Sequence, residues 1–163
     1  MKKTVKRVSS SAEVHLLIAL LRYATLIGRP MRDSVGDPAD LSSNELRILI
    51  ALSGEGEAAG HDLAEMMGMH AMNVSRALAS LHQRKLVEPA PDLSSRRRRP
   101  YRLSKNGAAA RAALEPRLAG AAQFLFGGLS TRERATLEKI LAKLYATVLT
   151  WEPTGPGHHV PRA

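Results

Sequence analysis

Residues 61–104 constrain this chain more than any other stretch. They begin His61-Asp62-Leu63-Ala64-Glu65-Met66-Met67-Gly68-Met69-His70-Ala71-Met72-Asn73-Val74-Ser75-Arg76. A second helical run follows to Lys85, then Leu86-Val87-Glu88, a proline-broken turn, four consecutive arginines (Arg96, Arg97, Arg98 and Arg99) and the strand-like Pro100-Tyr101-Arg102-Leu103. Gly68 is the kind of residue that ends a helix in the left-handed conformation. Val74, Leu78 and Leu81 then recur at i, i+4 and i+7, the narrow apolar stripe of a helix with one buried face. Asn73, Ser75, Arg76, Ser80, Gln83 and Arg84 fall on its other faces. A short helix, a tight turn, a polar-faced helix and a basic hairpin predict a winged helix-turn-helix.

The rest of the chain reads as helices. Ser10 with Glu13, Ser42 with Glu45 and Ser130 with Glu133 each have the S-x-x-E spacing of a capping box, in which two side chains satisfy free backbone N–H groups at a helix start. The first predicted helix, residues 11–28, is apolar almost all round, from Val14 to Ile27. A helix with no wet face needs cover on most sides, and in a chain this small a second subunit is the expected cover. Residues 28–40 carry two prolines and two glycines and are predicted as a loop; residues 54–60 are expected to be a flexible connector. Ser104 is placed as the cap of an alanine-rich helix over residues 105–126, with a kink or break at Pro116. A last helix over residues 131–150 carries the stripe Leu137, Ile140, Leu141, Leu144 and Val148.

The predicted fold class is therefore mainly α with a small β-wing: a winged helix-turn-helix lobe plus a helical dimerisation region. The expected organisation is a flexible basic N-terminus (residues 1–9), dimerisation helices (10–40 and 105–150), the DNA-binding lobe (41–104) and a disordered tail (151–163).

Charge supports a polyanionic partner. Lysine and arginine outnumber aspartate and glutamate by 24 to 15 among 163 residues, for a net charge of +9. Such a balance suits nucleic acid and also anionic membranes. The longest strongly apolar run, residues 14–21, contains His15 and is followed by Arg22, too short to span a bilayer. The basic start is not followed by a small-residue cleavage pattern, so the chain is expected to be cytoplasmic, with no membrane partner. There are no cysteines, which excludes disulfides, zinc–cysteine sites and thiol-based sensing. The histidines show no i, i+4 ligand pair, and no metal and no cofactor is expected. No metal-ligand box, phosphate-binding glycine loop or nucleophile elbow is present, so the chain does not read as an enzyme.

A recognition helix needs short polar or flexible side chains near its N-terminus, where it meets base edges. His70, Ala71, Met72, Asn73, Ser75 and Arg76 meet that need. Asn suits adenine, Arg suits guanine, and Ala71 and Met72 suit a thymine methyl. The plainer alternative is that they cap the helix or face water. For Ser95, Arg96, Arg97, Arg98 and Arg99 the alternatives are a solvated charge run or contact with phosphate and the minor groove. Four adjacent guanidinium groups repel one another, and their place between two strands after a helix-turn-helix favours DNA. The methionines at 66, 67, 69 and 72 read as packing, with Met69 and Met72 near enough to touch DNA.

Together these residues resemble the multiple-antibiotic-resistance-regulator (MarR) family of bacterial transcription factors. The resemblance covers residues 10–150. It rests on the apolar first helix, Leu63-Ala64-Glu65, Asn73-Val74-Ser75-Arg76, Leu81, Leu86-Val87, the arginine-rich wing, and Leu103-Ser104 before Gly107. Family members commonly carry Asp-Arg-Arg at the wing tip; here the triplet is Ser95-Arg96-Arg97, which leaves the tip looser or braced by Asp92. The family's wing-tip arginine corresponds to Arg97. The resemblance implies a triangular homodimer of intertwined terminal helices whose recognition helices meet successive major grooves of a palindromic operator on double-stranded DNA. It also implies a repressor released by a small-molecule effector, an aromatic carboxylate or phenolic, held between the dimerisation helices and the lobe. His15, Arg22 and Tyr23 are the candidate effector residues. Their plainer alternatives are a satisfied core histidine and an ion pair of Arg22 across the dimer. A constitutive architectural DNA-binding protein without effector is the other reading.

Overall fold

A computed structural model describes residues 10–91 and 100–151. In chain order the elements are α1 (Ser10–Met31), α2 (Ser43–Glu55), β1 (Glu57–Ala59), α3 (Gly60–Met66), α4 (Ala71–Gln83), β2 (Val87–Pro89), β3 (Pro100–Leu103), α5 (Lys105–Phe126) and α6 (Thr131–Leu149). The class is the expected one, mainly helical with a small antiparallel sheet. The chain divides into two compact units, Met1–Ala121 and Ala122–Ala163, with α5 running across the boundary.

In the first unit the core gathers around α2, α3 and α4. Ile48, Leu49, Leu52, Leu63, Val74, Leu81 and Val87 are almost wholly removed from solvent, and Leu46, Leu78 and Leu114 close the cluster. The i, i+4, i+7 stripe of α4 is buried as its spacing predicts, with Ala77 added. The Ser42 box is formed: the Ser42 hydroxyl accepts from Glu45 N at 3.3 Å, and Glu45 Oε2 accepts from Ser42 N at 2.8 Å. Ser104 caps α5, accepting from Gly107 N at 3.0 Å. The Ser10 box rests on a side chain outside the described residues.

Residues 28–40 are not a loop. α1 continues to Met31, a wide π-helical turn follows over Arg32–Gly36, and a 3-10 turn over Asp37–Ala39. Pro30 is taken into the last turn of α1. Pro38 falls in the first turn of its short helix, where its missing N–H has no partner to lose. A Cβ on Gly36 would meet the Leu41 carbonyl oxygen at 2.8 Å. Asp40, at φ 54°, ends the run in the left-handed region that short polar residues visit.

Two further expectations are corrected. The connector over residues 54–60 contains a strand, β1, which pairs antiparallel with β3, so the sheet has the order β1-β3-β2. Of the kink or break expected at Pro116, the break does not occur: α5 runs through it as one helix. Pro116 and Ala112, whose carbonyl the ring deprives of a partner, are both exposed, so the missing bond falls on the hydrated side of the helix. Gly107, one turn into α5, marks a close approach: a Cβ there would lie 1.8 Å from the Leu86 carbonyl oxygen.

In the second unit α6 opens with the third capping box. The Ser130 hydroxyl accepts from Glu133 N at 3.3 Å and Glu133 Oε2 accepts from Ser130 N at 2.8 Å. These bonds hold the exposed Glu133 carboxyl below its ordinary value. No helix among the described residues is long and apolar enough to cross a membrane.

Candidate nucleic-acid interface

The helix-turn-helix is built as its sequence predicts. α3 closes at Met67, Gly68 takes φ 56°, and His70 precedes α4 in extended backbone. The His70 carbonyl accepts from Asn73 N at 2.9 Å and Val74 N at 3.2 Å, so backbone alone starts α4. Burial of Val74, Ala77, Leu78 and Leu81 fixes the opposite face outward. His70, Ala71, Met72, Asn73, Ser75 and Arg76 are all exposed, Met72 to 63%. The first turn and a half of α4 thus presents short polar side chains, one guanidinium and one thioether to solvent.

Behind that face lies a polar contact that periodicity did not reveal. Glu45 is the one buried charged residue among those described, at 7% exposure. Its Oε1 accepts a 2.6 Å hydrogen bond from the Ser80 hydroxyl. The Arg84 guanidinium lies 3.6 Å away and donates to the Asp40 carbonyl at 2.6 Å. Burial alone would raise the Glu45 carboxyl. The hydrogen bonds from Ser42 and Ser80, with the Arg84 charge, outweigh it and hold the group below its ordinary value. Ser80 and Arg84 read from sequence as outward-facing, and only the Ser42-x-x-Glu45 spacing hinted at Glu45. Asn73, Arg76, Ala77 and Ser80 share one polar groove with Ser42, Asn44 and Glu45.

The stem of the wing is braced. β2 and β3 pair Val87 with Leu103, Glu88 with Arg102 and Pro89 with Tyr101. Arg102 donates to Glu88 Oε1 through Nε at 2.9 Å and lies 2.8 Å from it through Nη2. His82 of α4 lies edge-on to Tyr101, with centroids 6.1 Å apart, and its Nδ1 is 3.2 Å from the Val87 carbonyl. Ser95, Arg96, Arg97, Arg98 and Arg99, with Asp92, lie outside the described residues.

His15, Arg22 and Tyr23 are brought together. With Ile18, Ala19 and Leu26 they line one groove along α1. His61 Nε2 lies 2.8 Å from Asp62 Oδ1. No group of three or more side chains able to hold a metal ion occurs among the described residues.

Residues 39–98 match the family model described as the MarR family. No curated protein matches the chain in sequence. Solved structures share its fold. A MarR-family transcriptional regulator from Silicibacter pomeroyi is 23% identical, with a TM-score of 0.73 over 86% of this chain and 94% of that one. Escherichia coli MarR, in a variant complexed with operator DNA, is 22% identical, with a TM-score of 0.66 over 81% and 95%. Bordetella bronchiseptica BpsR, whose DNA binding is regulated by 6-hydroxynicotinic acid, is 23% identical, with a TM-score of 0.67 over 80% and 98%. Residues 39–98 thus match the MarR family, and the described residues have the fold of the MarR-family proteins above.

Proposed function

We propose that this protein is a transcriptional regulator, a repressor, that reads a palindromic operator on double-stranded DNA as a homodimer. The observation that carries the reading is the division of α4 into a wholly buried apolar stripe and an exposed edge of Asn73, Ser75 and Arg76, with Met72 open at its start. A helix so divided suits a major groove, and the likeness to the operator-bound Escherichia coli protein supports that placement. His70 and Ala71 join this edge, while Ser95, Arg96, Arg97, Arg98 and Arg99 on the wing reach phosphate or the minor groove. Residues 10–40 and 105–150 serve as the dimerisation helices and residues 41–104 as the DNA-reading lobe. The exposed apolar side chains of α1 and α6 support the pairing of two chains.

The regulator responds to a small aromatic carboxylate or phenolic. The α1 groove offers a cation (Arg22), a phenol (Tyr23) and an imidazole (His15) within an apolar surround, which suits such an acid. The regulation of BpsR by an aromatic acid supports the class.

Selection of duplexes from a random pool by the full chain, followed by footprinting, tests the reading. Sharp protection of one palindrome is expected; equal affinity for every duplex would instead identify an architectural DNA coat. On the selected duplex, replacing Arg96 and Arg97 with alanine weakens binding and lowers the salt slope by about two units if each meets a phosphate. Replacing Asn73 or Arg76 changes the preference among duplex variants. Release from the duplex in a screen of aromatic acids tests the effector.

A further inference from the structure

We propose that Ser80 and Glu45, seconded by Arg84, are positioning residues that set how α4 presents its reading edge, and so decide sequence discrimination without touching DNA. The inference rests on the proposed reading of DNA by α4 and says which residues aim that helix.

The apolar stripe of Val74, Ala77, Leu78 and Leu81 sets which face of α4 turns outward, but apolar attraction is non-directional. A hydrogen bond in a poorly solvated site adds direction. One carboxylate supplies it. Glu45 Oε2 holds the first backbone N–H of the α2 cap, while Oε1 accepts from Ser80 at 2.6 Å across 35 residues of sequence. One turn further on, Arg84 grips the Asp40 carbonyl at 2.6 Å. Ser80 lies in the C-terminal half of α4, and Arg84 is the residue that closes it.

Ser80 stands one helical turn from Arg76 and two from Asn73, and all three line the same groove beside Glu45. A twist of α4 that broke the Ser80 bond would swing Asn73 and Arg76 through the same angle. Base readout requires hydrogen-bond geometry at specific base edges, whereas phosphate attraction tolerates misalignment. Loss of the pin therefore falls on discrimination and spares non-specific affinity. Glu45 itself is buried and anionic, so its effect on DNA runs through Ser80.

The experiment uses the full chain and two duplexes of equal length: one recovered from a random pool by the wild-type protein, one scrambled. Ser80→Ala is expected to cut the ratio of their affinities by about tenfold, the scale of one good base contact. Binding to the scrambled duplex and the salt slope should stay as in wild type. Ser80→Thr, which keeps the hydroxyl, restores the ratio. Arg84→Met lowers it in the same direction and carries the test should Ser80→Ala fail to fold. An unchanged ratio in Ser80→Ala and Arg84→Met overturns the proposal. So does an equal loss on both duplexes, the mark of a purely structural role. A wild-type protein that enriches no sequence from the pool would instead overturn the DNA reading beneath it.

Discussion

The helices α2, α3 and α4 hide their apolar side chains within one chain, whereas α1 and α6 leave theirs in the open. Leu49, Leu63 and Leu81 are fully buried, while Leu16 and Leu26 of α1 are 72% and 64% exposed and Val148 of α6 is 59% exposed. Both groups carry apolar side chains, but only those of α2, α3 and α4 find cover within one chain. α2, α3 and α4 converge on one another and on a sheet. Apolar rows of this length rarely stay wet in a soluble protein. On the proposed homodimer reading, the two regions answer to different equilibria, folding for the first and association for the second.

The largest expected effect separates those equilibria. Leu81→Ala should lower the unfolding free energy by about 2–5 kcal/mol through lost burial and the cavity left behind, at any protein concentration. Leu17→Asp on α1 should instead shift the mass seen by light scattering toward a single chain while the far-ultraviolet dichroism persists. Equal behaviour of the two variants on dilution would erase the contrast.

A comparison within α5 comes next. Gly107→Ala forces a methyl against the Leu86 carbonyl, where 1.8 Å is available, and should cost about 1–3 kcal/mol or more in denaturant melts. Gly120→Ala meets nothing within 4 Å and should be neutral or stabilising by up to about 1 kcal/mol. A Gly107→Ala protein as stable as wild type would remove the close approach.

The matched capping boxes give a finer contrast. Ser42→Ala and Ser130→Ala each remove a hydroxyl that accepts from the third helical N–H, typically worth about 1 kcal/mol. Ser42 should cost more, because its partner Glu45 is buried whereas Glu133, the partner of Ser130, is exposed. Equal losses in thermal melts would mean that burial adds nothing.

The smallest effect concerns acid. Both Glu45 and Glu133 titrate below their ordinary value of 4.5 in the fold. A depressed carboxyl contributes stability that is complete above its unfolded value and disappears as pH falls through the folded one. Stability should therefore decline below about pH 4.5. Glu45→Gln should flatten that decline more than Glu133→Gln, since Glu133 is exposed. A greater flattening with Glu133→Gln would reverse the assignment.

Local rules made much of the lobe legible. The spacing of Val74, Leu78 and Leu81 fixed the buried face of α4, and the Ser42 and Ser130 boxes fixed two helix starts. Gly68 was readable because glycine reaches φ 56° without steric cost. β1 was not legible. Glu57-Ala58-Ala59 has weak strand preference and is a strand only because β3 presents a free edge to it. The helical turns after α1 were hidden because proline and glycine were read as breakers without regard to their position in the turn. The Ser80–Glu45 bond was hidden because periodicity reports which face is apolar, and says nothing of a polar partner 35 residues away. The wing stem was legible as strands, whereas its Glu88–Arg102 brace depends on register, which short strands do not encode.

The place of β3 in the sheet has a mechanical consequence. A free two-stranded ribbon is marginal in water and bends readily. Here the strand that leaves the arginine run is clamped on both edges, and its outer neighbour β1 leads straight into α3. Strand β3 and the helix pair are thereby riveted together, and a sideways load on β3 passes through β1 directly to the foot of α3.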